Sequence, residues 1–436
     1  MELLVIILFC AALLGCIAMG RTIILALVIG LILFLAYGKY KRHTWKELAD
    51  MAMSGVRTSG NILIAFVLIG MLTALWRASG TISSIICYTS GLIHPSILIL
   101  LIFLLNSLVS FLTGTSFGTA ATMGVICMSI ASTMGISVFW AGGAVLSGAF
   151  FGDRCSPVST SALLVSTVTD TDLYENIRKM MRTALVPFIL CCIIYLAAGT
   201  AASGSGYAGN VFEIFEGEFC IHPVNLIPAA IILILALFKI NIKITMSASI
   251  AAAFVIALLI QHESPLHLVR MMFMGYEAVS PELGEIMNGG GVISMIRVGV
   301  IVCIASSYSG LFKGTGLLNF MQRWIGCVSR KTTAFTAILM TAAAASALSC
   351  NQTLAIMLTG QLCRDLGLSK EELAIGIEDT AVVVAPLIPW SIAGTVPLAA
   401  AGAPDICILG ACFLYLVPAV QWAASFFGRR GANPES

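Results

Sequence analysis

Leu75-Trp76-Arg77-Ala78-Ser79-Gly80 and Leu311-Phe312-Lys313-Gly314-Thr315-Gly316 share one pattern, apolar, aromatic, basic, small, hydroxyl or small, glycine, at a spacing of 236 (311 − 75). The same offset lays Leu112-Thr113-Gly114-Thr115 over Leu348-Ser349-Cys350-Asn351, and Gly124 over Gly360. The chain therefore contains itself twice. In a strongly apolar chain such self-similarity points to a transporter built from structural repeats, with its site where the repeats meet.

Composition agrees. Of 436 residues, 59% are hydrophobic and 10% charged, with a mean hydropathy of +1.01, which cannot clothe a soluble surface. A net charge of +2 excludes a nucleic-acid footprint. The fourteen cysteines, Cys10, Cys16, Cys191, Cys192, Cys303 and Cys412 among them, lie mostly in apolar runs without the paired spacing of a zinc site, and read as small buried hydrophobes. No Walker-type phosphate loop and no catalytic His or Cys pattern is present, so neither ATP coupling, an enzyme activity nor a cofactor is expected. The run from Leu3 to Cys16 lacks a basic n-region and is followed closely by another from Thr22 to Tyr37; it reads as a retained first helix.

Apolar stretches near the length of a membrane span occur at 1–18, 22–38, 60–76, 183–202, 224–238, 244–261, 292–312 and 405–427. Basic residues orient them. Lys39, Lys41, Arg42, Lys46 and Arg57, then Arg178, Lys179 and Arg182, then Lys239 and Lys243 mark cytoplasmic loops, as do Lys313, Arg323, Arg330, Lys331, Arg364, Lys370, Arg429 and Arg430. The stretch from Gly199 to His222 carries Glu213, Glu216 and Glu218 with no Lys or Arg, and reads as external. The helix at 60–76 then starts inside and its partner at 292–312 outside: the repeats are inverted. Consistent signs make 97–133 and 333–363 re-entrant hairpins, with tips at Thr113 to Gly118 and Ser349 to Thr353. Each is followed by a broken span, 137–168 interrupted at Gly152-Asp153-Arg154-Cys155-Ser156-Pro157, and 372–401 interrupted at Ala385-Pro386-Leu387-Ile388-Pro389. Asp170, Asp172 and Glu175 ahead of Arg178, Lys179 and Arg182 read as an interfacial helix. The expected fold is an all-α polytopic membrane protein with about ten transmembrane helices, two re-entrant hairpins and two broken helices. Its inverted repeats span 1–205 and 224–428, joined by an external linker, 206–223, and followed by a cytoplasmic tail, 429–436. It sits in the plasma membrane as a multi-pass protein, its partners the lipid bilayer and its cargo; a homodimer stays open.

Hairpin tips and helix breaks expose carbonyls and half-helix ends that replace water around a small cation or orient an anion. The first tip offers Asn106, Thr113, Thr115, Ser116 and Thr119, the second Ser349, Asn351, Gln352 and Thr353, and the first break Ser156, Ser159 and Thr160. Such hard oxygen donors suit Na⁺, with Asp153, Thr115 and Asn351 the candidate ligands. The competing reading is that these hydroxyls bond back to helix carbonyls and help helices pack. Acidic residues at membrane depth weigh more, because a carboxylate there is costly and marks ion or proton pathways. Asp153 lies in the first break beside Arg154, an adjacent partner that would make it half of a structural ion pair. Glu378 and Asp379 lie shortly before the second break with no adjacent base, two neighbouring carboxylates between which a proton can be released on cation binding; the alternative for Glu378 is a solvated place at the cytoplasmic mouth. Arg297 either snorkels to the external interface or faces a cavity.

Ser147-Gly148-Ala149-Phe150-Phe151-Gly152-Asp153-Arg154-Cys155-Ser156-Pro157, followed by Thr171-Asp172-Leu173, resembles the NhaC-type Na⁺/H⁺ antiporter family. Asn351-Gln352 ahead of Gly360, Glu378-Asp379-Thr380 and Pro386-Leu387-Ile388-Pro389-Trp390 look like that family's second-repeat motifs, and the similarity covers almost the whole chain. The resemblance implies Na⁺/H⁺ exchange or, in some members, exchange of organic acids such as malate and lactate, within a superfamily of two-hairpin ion transporters with elevator-like motion. One departure stands out. Where the family commonly continues Ser-Pro-x-Ser with Asp-Thr-Thr-Asn, this chain has Thr160-Ser161-Ala162-Leu163, so the usual acid is Thr160 and the usual amide Leu163. A missing carboxylate would change the ion stoichiometry or transfer the proton role to Asp153, Glu378 or Asp379, and it opens the site to a neutral or anionic organic substrate. The leading expectation is a Na⁺/H⁺ antiporter working by alternating access; the alternative is a cation-coupled carrier of a small organic acid or amino acid. A channel or scaffold fits less well, since two separated breaks replace one continuous pore.

Overall fold

The computed structural model describes residues 2–19, 22–90, 94–202, 217–238, 240–279, 283–284, 287–317, 333–364 and 366–429. Glu213, Glu216, Lys239, Arg323, Arg330, Lys331 and Arg430, used above to orient the chain, lie outside them. Among the described residues the only β pairing is one isolated bridge between Tyr276 and Gly289.

The first half runs α1 (Glu2–Ala18), α2 (Ile23–Tyr40), α3 (Trp45–Thr58), α4 (Gly60–Ala78), α5 (Thr81–Ser90), α6 (Pro95–Thr113), α7 (Ser116–Thr133), α8 (Val138–Cys155), α9 (Thr160–Thr169) and α10 (Leu173–Ala202). The second runs α11 (Ile227–Leu237), α12 (Ile242–Leu259), α13 (Pro265–Met274), α14 (Gly291–Thr315), α15 (Ala334–Ser349), α16 (Gln352–Leu362), α17 (Lys370–Glu378), α18 (Ala381–Val384), α19 (Ile392–Ala401) and α20 (Cys412–Arg429). Among the described residues, α6, α7, α10 and α14 are each long and apolar enough to cross a membrane, and two bent pairs raise the number to six. One pair is 370–387 with α19, bent by 60°. Shorter apolar helices include most of α2, α12, α15 and α20. The chain is an all-helical polytopic membrane protein.

Sequence chemistry explains the ends. Thr44 with Glu47 and Ser369 with Glu372 form capping boxes that start α3 and α17 by satisfying amide protons with no intrahelical partner. Gly80 and Gly316, equivalent in the duplicated register, stop α4 and α14 at φ of +70° and +66°, a left-handed conformation that glycine adopts without cost. Phe9, Phe34, Tyr308 and Phe312 interlock edge to face, tying α1 and α2 to α14, and the Tyr308 hydroxyl donates to the Leu27 carbonyl.

Two expectations about boundaries change. The segment containing Asp172 to Arg182 is not a separate interfacial helix; from Leu173 it continues through Pro187 to Ala202 as α10, 30 residues long. The first break is not 152–157. Helix α8 continues to Cys155, and the irregular backbone is 156–159, because the residue before a proline is pushed to extended backbone and Ser156 precedes Pro157, at φ −83° and ψ 138°.

Helices α6 and α8 pack with almost no side chain between them. A Cβ at Gly148 would lie 2.7 Å from the Phe103 carbonyl oxygen, and one at Gly152 would overlap the backbone of Ser110 and Phe111, the close approach that small residues four apart permit in membrane helix pairs. Gly152→Leu is therefore expected to force α6 and α8 apart, costing at least about 1–3 kcal/mol as overpacking does. A lower melting temperature and loss of the monodisperse peak in detergent would show it; a wild-type melt would refute the packing.

Candidate ion-binding site

The two hairpins are built alike. Helix α6 ends at Gly114, φ +68°, and α15 at Cys350, φ +53°. The next residue in each, Thr115 (φ −141°, ψ 121°) and Asn351 (φ −149°, ψ 128°), is an extended N-cap: Thr115 Oγ1 accepts the Gly118 amide at 3.2 Å and Asn351 Oδ1 the Leu354 amide at 3.4 Å. Both candidate ligands thus already serve as caps. A π-turn over Ala120–Gly124 interrupts α7 just past the first tip.

Each tip abuts a break. Gly114 packs on the Val158 backbone, and the Cys350 carbonyl accepts the Ile392 amide at 3.0 Å, while Trp390 Nε1 donates to the Ala347 carbonyl at 2.8 Å. The breaks repeat one chemistry. Ser159, two residues after Pro157, caps α9 by accepting the Ala162 amide, and Ser391, two residues after Pro389, caps α19 by accepting the Ala393 amide. The Asp153 carbonyl, orphaned at the end of α8, accepts from the Ser159 hydroxyl and, at 2.9 Å, from the Ser161 hydroxyl. Ser156 Oγ accepts the Val158 amide at 3.3 Å.

Asp153 is buried where both tips converge. Gln352 Nε2, from the second hairpin, donates to its Oδ2 at 3.2 Å and to the Val382 carbonyl at 3.1 Å, and the Ser116 amide, from the first, lies near the same carboxyl group. Thr113 and Thr119 share a hydroxyl contact at 3.3 Å beside that tip. Thr353 and Thr160 do not join them: both are exposed, as is Leu163 on the same face of α9 as Thr160.

Arg154 does not pair with Asp153. Consecutive helical residues point in different directions, and Arg154 turns the other way, fully buried, to form an ion pair with Asp379 across the fold. Its remaining donors reach Thr183 Oγ1 at 2.6 Å, the Met180 carbonyl at 3.1 Å and the Glu378 carbonyl at 3.3 Å. Thr183 Oγ1 also bonds to Asp379 at 3.2 Å. Asp379, with no base adjacent in sequence, finds its partner 225 positions away. Thr183 was missed because 183–202 reads as an apolar span, and the Met180 carbonyl because the stretch before it reads as an interfacial helix. The second span is interrupted earlier than expected too, at Asp379-Thr380, with Thr380 at φ −127° and ψ −78°, in addition to the break around Ile388.

Glu378 is neither solvated nor paired. It is completely buried, and neither carboxylate oxygen has a hydrogen-bond partner among the described residues; its charged neighbours are Arg154, Asp153 and Asp379. A cavity of about 660 Å³, bordered by Lys179, Arg182, Glu371 and Glu372, reaches Thr183 and Asp379. Near its rim, in the loop after α9, Lys370 bonds to Asp170 at 2.5 Å and holds that carboxyl below its usual range. Arg297 is exposed, with Asp405 as a charged neighbour.

The model of the Na⁺/H⁺ antiporter family matches residues 2–172 and 148–428. The chain belongs to this family. It is 27% identical over 419 residues, 92% of this chain and 89% of the other, to the Na⁺/H⁺ antiporter NhaC of Alkalihalophilus pseudofirmus. It is also 26% identical to a malate-2H⁺/Na⁺-lactate antiporter of Bacillus subtilis (85% and 83% covered) and 28% identical to an arginine/ornithine antiporter of Halobacterium salinarum (84% and 78% covered).

Proposed function

We propose that this antiporter exchanges Na⁺ for H⁺ by alternating access in the plasma membrane, at a site formed by Asp153, Glu378 and the two hairpin tips. The observation that carries the assignment is charge. Three carboxyl groups, Asp153, Glu378 and Asp379, are buried with one guanidinium, that of Arg154, and that guanidinium is committed to Asp379. Asp153 and Glu378 are left without an ion-pair partner among the described residues, and a buried carboxylate without one is costly. Each therefore takes either a proton or a metal cation. Groups that must hold one or the other, and cannot hold both, exchange them.

Na⁺ as cargo is held by Asp153, with neutral oxygens from Thr113, Thr115, Ser116, Ser156, Ser159 and Asn351 completing its shell in this reading. Thr160 and Thr353, being exposed, line the approach. Asp379 positions Arg154, and with it the Glu378 backbone. The matched tips and breaks support inverted repeats, 1–205 and 224–428, about ten spans with two re-entrant hairpins. Organic solutes are the second reading, favoured by Thr160 in place of an acid and by the two organic-solute antiporters among the relatives.

Reconstituted protein with imposed Na⁺ and pH gradients tests this. Na⁺ alone is expected to drive proton movement, and Asp153→Asn to reduce it to the level of empty liposomes while the protein stays inserted. Proton movement only after an organic acid is added would transfer the assignment to the second reading.

A further inference from the structure

A second polar cavity, of about 260 Å³, lies away from Asp153 and Glu378, where α4, the start of α14 and the ends of α7 and α19 meet. Thr73, Arg77, Ser132, Asn288, Gly290 and Ser294 border it. Arg77 is its cationic side chain. Nη1 donates to the Thr73 carbonyl at 2.9 Å, Nε is buried without a partner, and no carboxylate among the described residues forms an ion pair with it. This contrasts with Arg154, whose nitrogens are all engaged. A buried guanidinium nitrogen with an unused donor is costly unless an anion or water meets it.

The amino end of α14 reaches the same cavity. Gly290, its N-cap at φ +76°, and Ser294 in its first turn are both lining residues, so the positive end of a 25-residue helix borders the space beside Arg77. The carboxyl ends of α7 and α19, which carry partial negative charge, border the cavity as well. The cavity thus meets helix ends of both signs, and its volume is close to the smallest of ordinary ligand pockets.

We propose that this cavity binds the carboxylate group of a small organic solute, gripped by Arg77 and the amino end of α14, at a site separate from the cation centre. The planar guanidinium fork matches two carboxylate oxygens, which a spherical halide does not. An ammonium or hydroxyl on the same solute would meet the carboxyl ends of α7 and α19.

The test is equilibrium binding to the full chain in nanodiscs, by calorimetry at constant ionic strength, with propionate, alanine, propylamine and chloride as probes. Saturable binding of propionate or alanine is expected, with none for propylamine or chloride; preference for alanine would show that those carboxyl ends hold an ammonium. Arg77→Gln should weaken carboxylate binding by at least about tenfold, the loss of a charge-assisted pair. If that variant does not fold, Ser132→Leu, which fills the cavity without removing the buried charge, should do the same. Asp153→Asn should keep carboxylate binding while losing Na⁺/H⁺ exchange, so the two assignments fail separately. Absence of saturable carboxylate binding, equal binding of chloride, or an unchanged affinity in the folded Arg77→Gln or Ser132→Leu chain would overturn the proposal.

Discussion

Arg154→Gln is expected to destabilise the folded protein by about 3–5 kcal/mol, the cost of leaving one partner of a buried ion pair behind. The guanidinium bonds to Asp379 and Thr183 and to two main-chain carbonyls, those of Met180 and Glu378. The Glu378 carbonyl is exposed to need by the interruption at Asp379-Thr380, and non-helical backbone at membrane depth survives only where something satisfies it. Glutamine reaches neither as far nor as many acceptors. Its loss therefore strands a carboxylate and a carbonyl together, and the expected readout is a chain that inserts but melts early in detergent.

A double substitution separates charge from shape. Arg154→Met with Asp379→Leu removes both charges, and such replacements of buried pairs are often neutral or stabilising. The double variant should recover most of the melting temperature that Arg154→Gln loses. A single variant as stable as the wild type would mean that the pair does not hold the break together.

Much of the frame was legible because its causes are local. Glycine able to take positive φ followed by a Thr cap marks a tight reversal at Gly114-Thr115, and Cys350-Asn351 was readable as its counterpart through the 236-residue register; the structure turns at both. The true end of α8 was also available, since Pro157 dictates extended backbone at Ser156. Pairing was harder. Sequence adjacency made Arg154 the natural partner of Asp153, yet helical spacing separates neighbours by about 100°, and that rule alone argued for different partners. Nothing local named Asp379 or Thr183, because those contacts depend on how α8, α10 and α17 pack. Likewise the interruption at Asp379-Thr380 contains no glycine or proline; its orphan carbonyl is satisfied by Arg154, a tertiary cause.

Glu378→Gln is expected to abolish Na⁺/H⁺ exchange without loss of stability, the reverse of the Arg154 result. Both oxygens of Glu378 lack a hydrogen-bond partner among the described residues, so its side chain holds no neighbouring element in place. Replacing an unpartnered buried carboxyl by an amide of the same shape removes a charge that is costly to bury and keeps the volume, leaving the melt within about 1 kcal/mol of the wild type. The transport consequence is different. If Glu378 takes up a proton when Na⁺ leaves and releases it when Na⁺ arrives, the apparent Na⁺ affinity rises with pH, because protons compete less; an amide cannot titrate, and that dependence must flatten. Na⁺ binding measured across a pH series in detergent, beside exchange in proteoliposomes, reads both effects. A Glu378→Gln chain that still exchanges with the wild-type pH profile would leave Asp153 as the one unpaired acid of the centre, and a single acid cannot release a second proton, so exchange would be limited to one proton for each Na⁺.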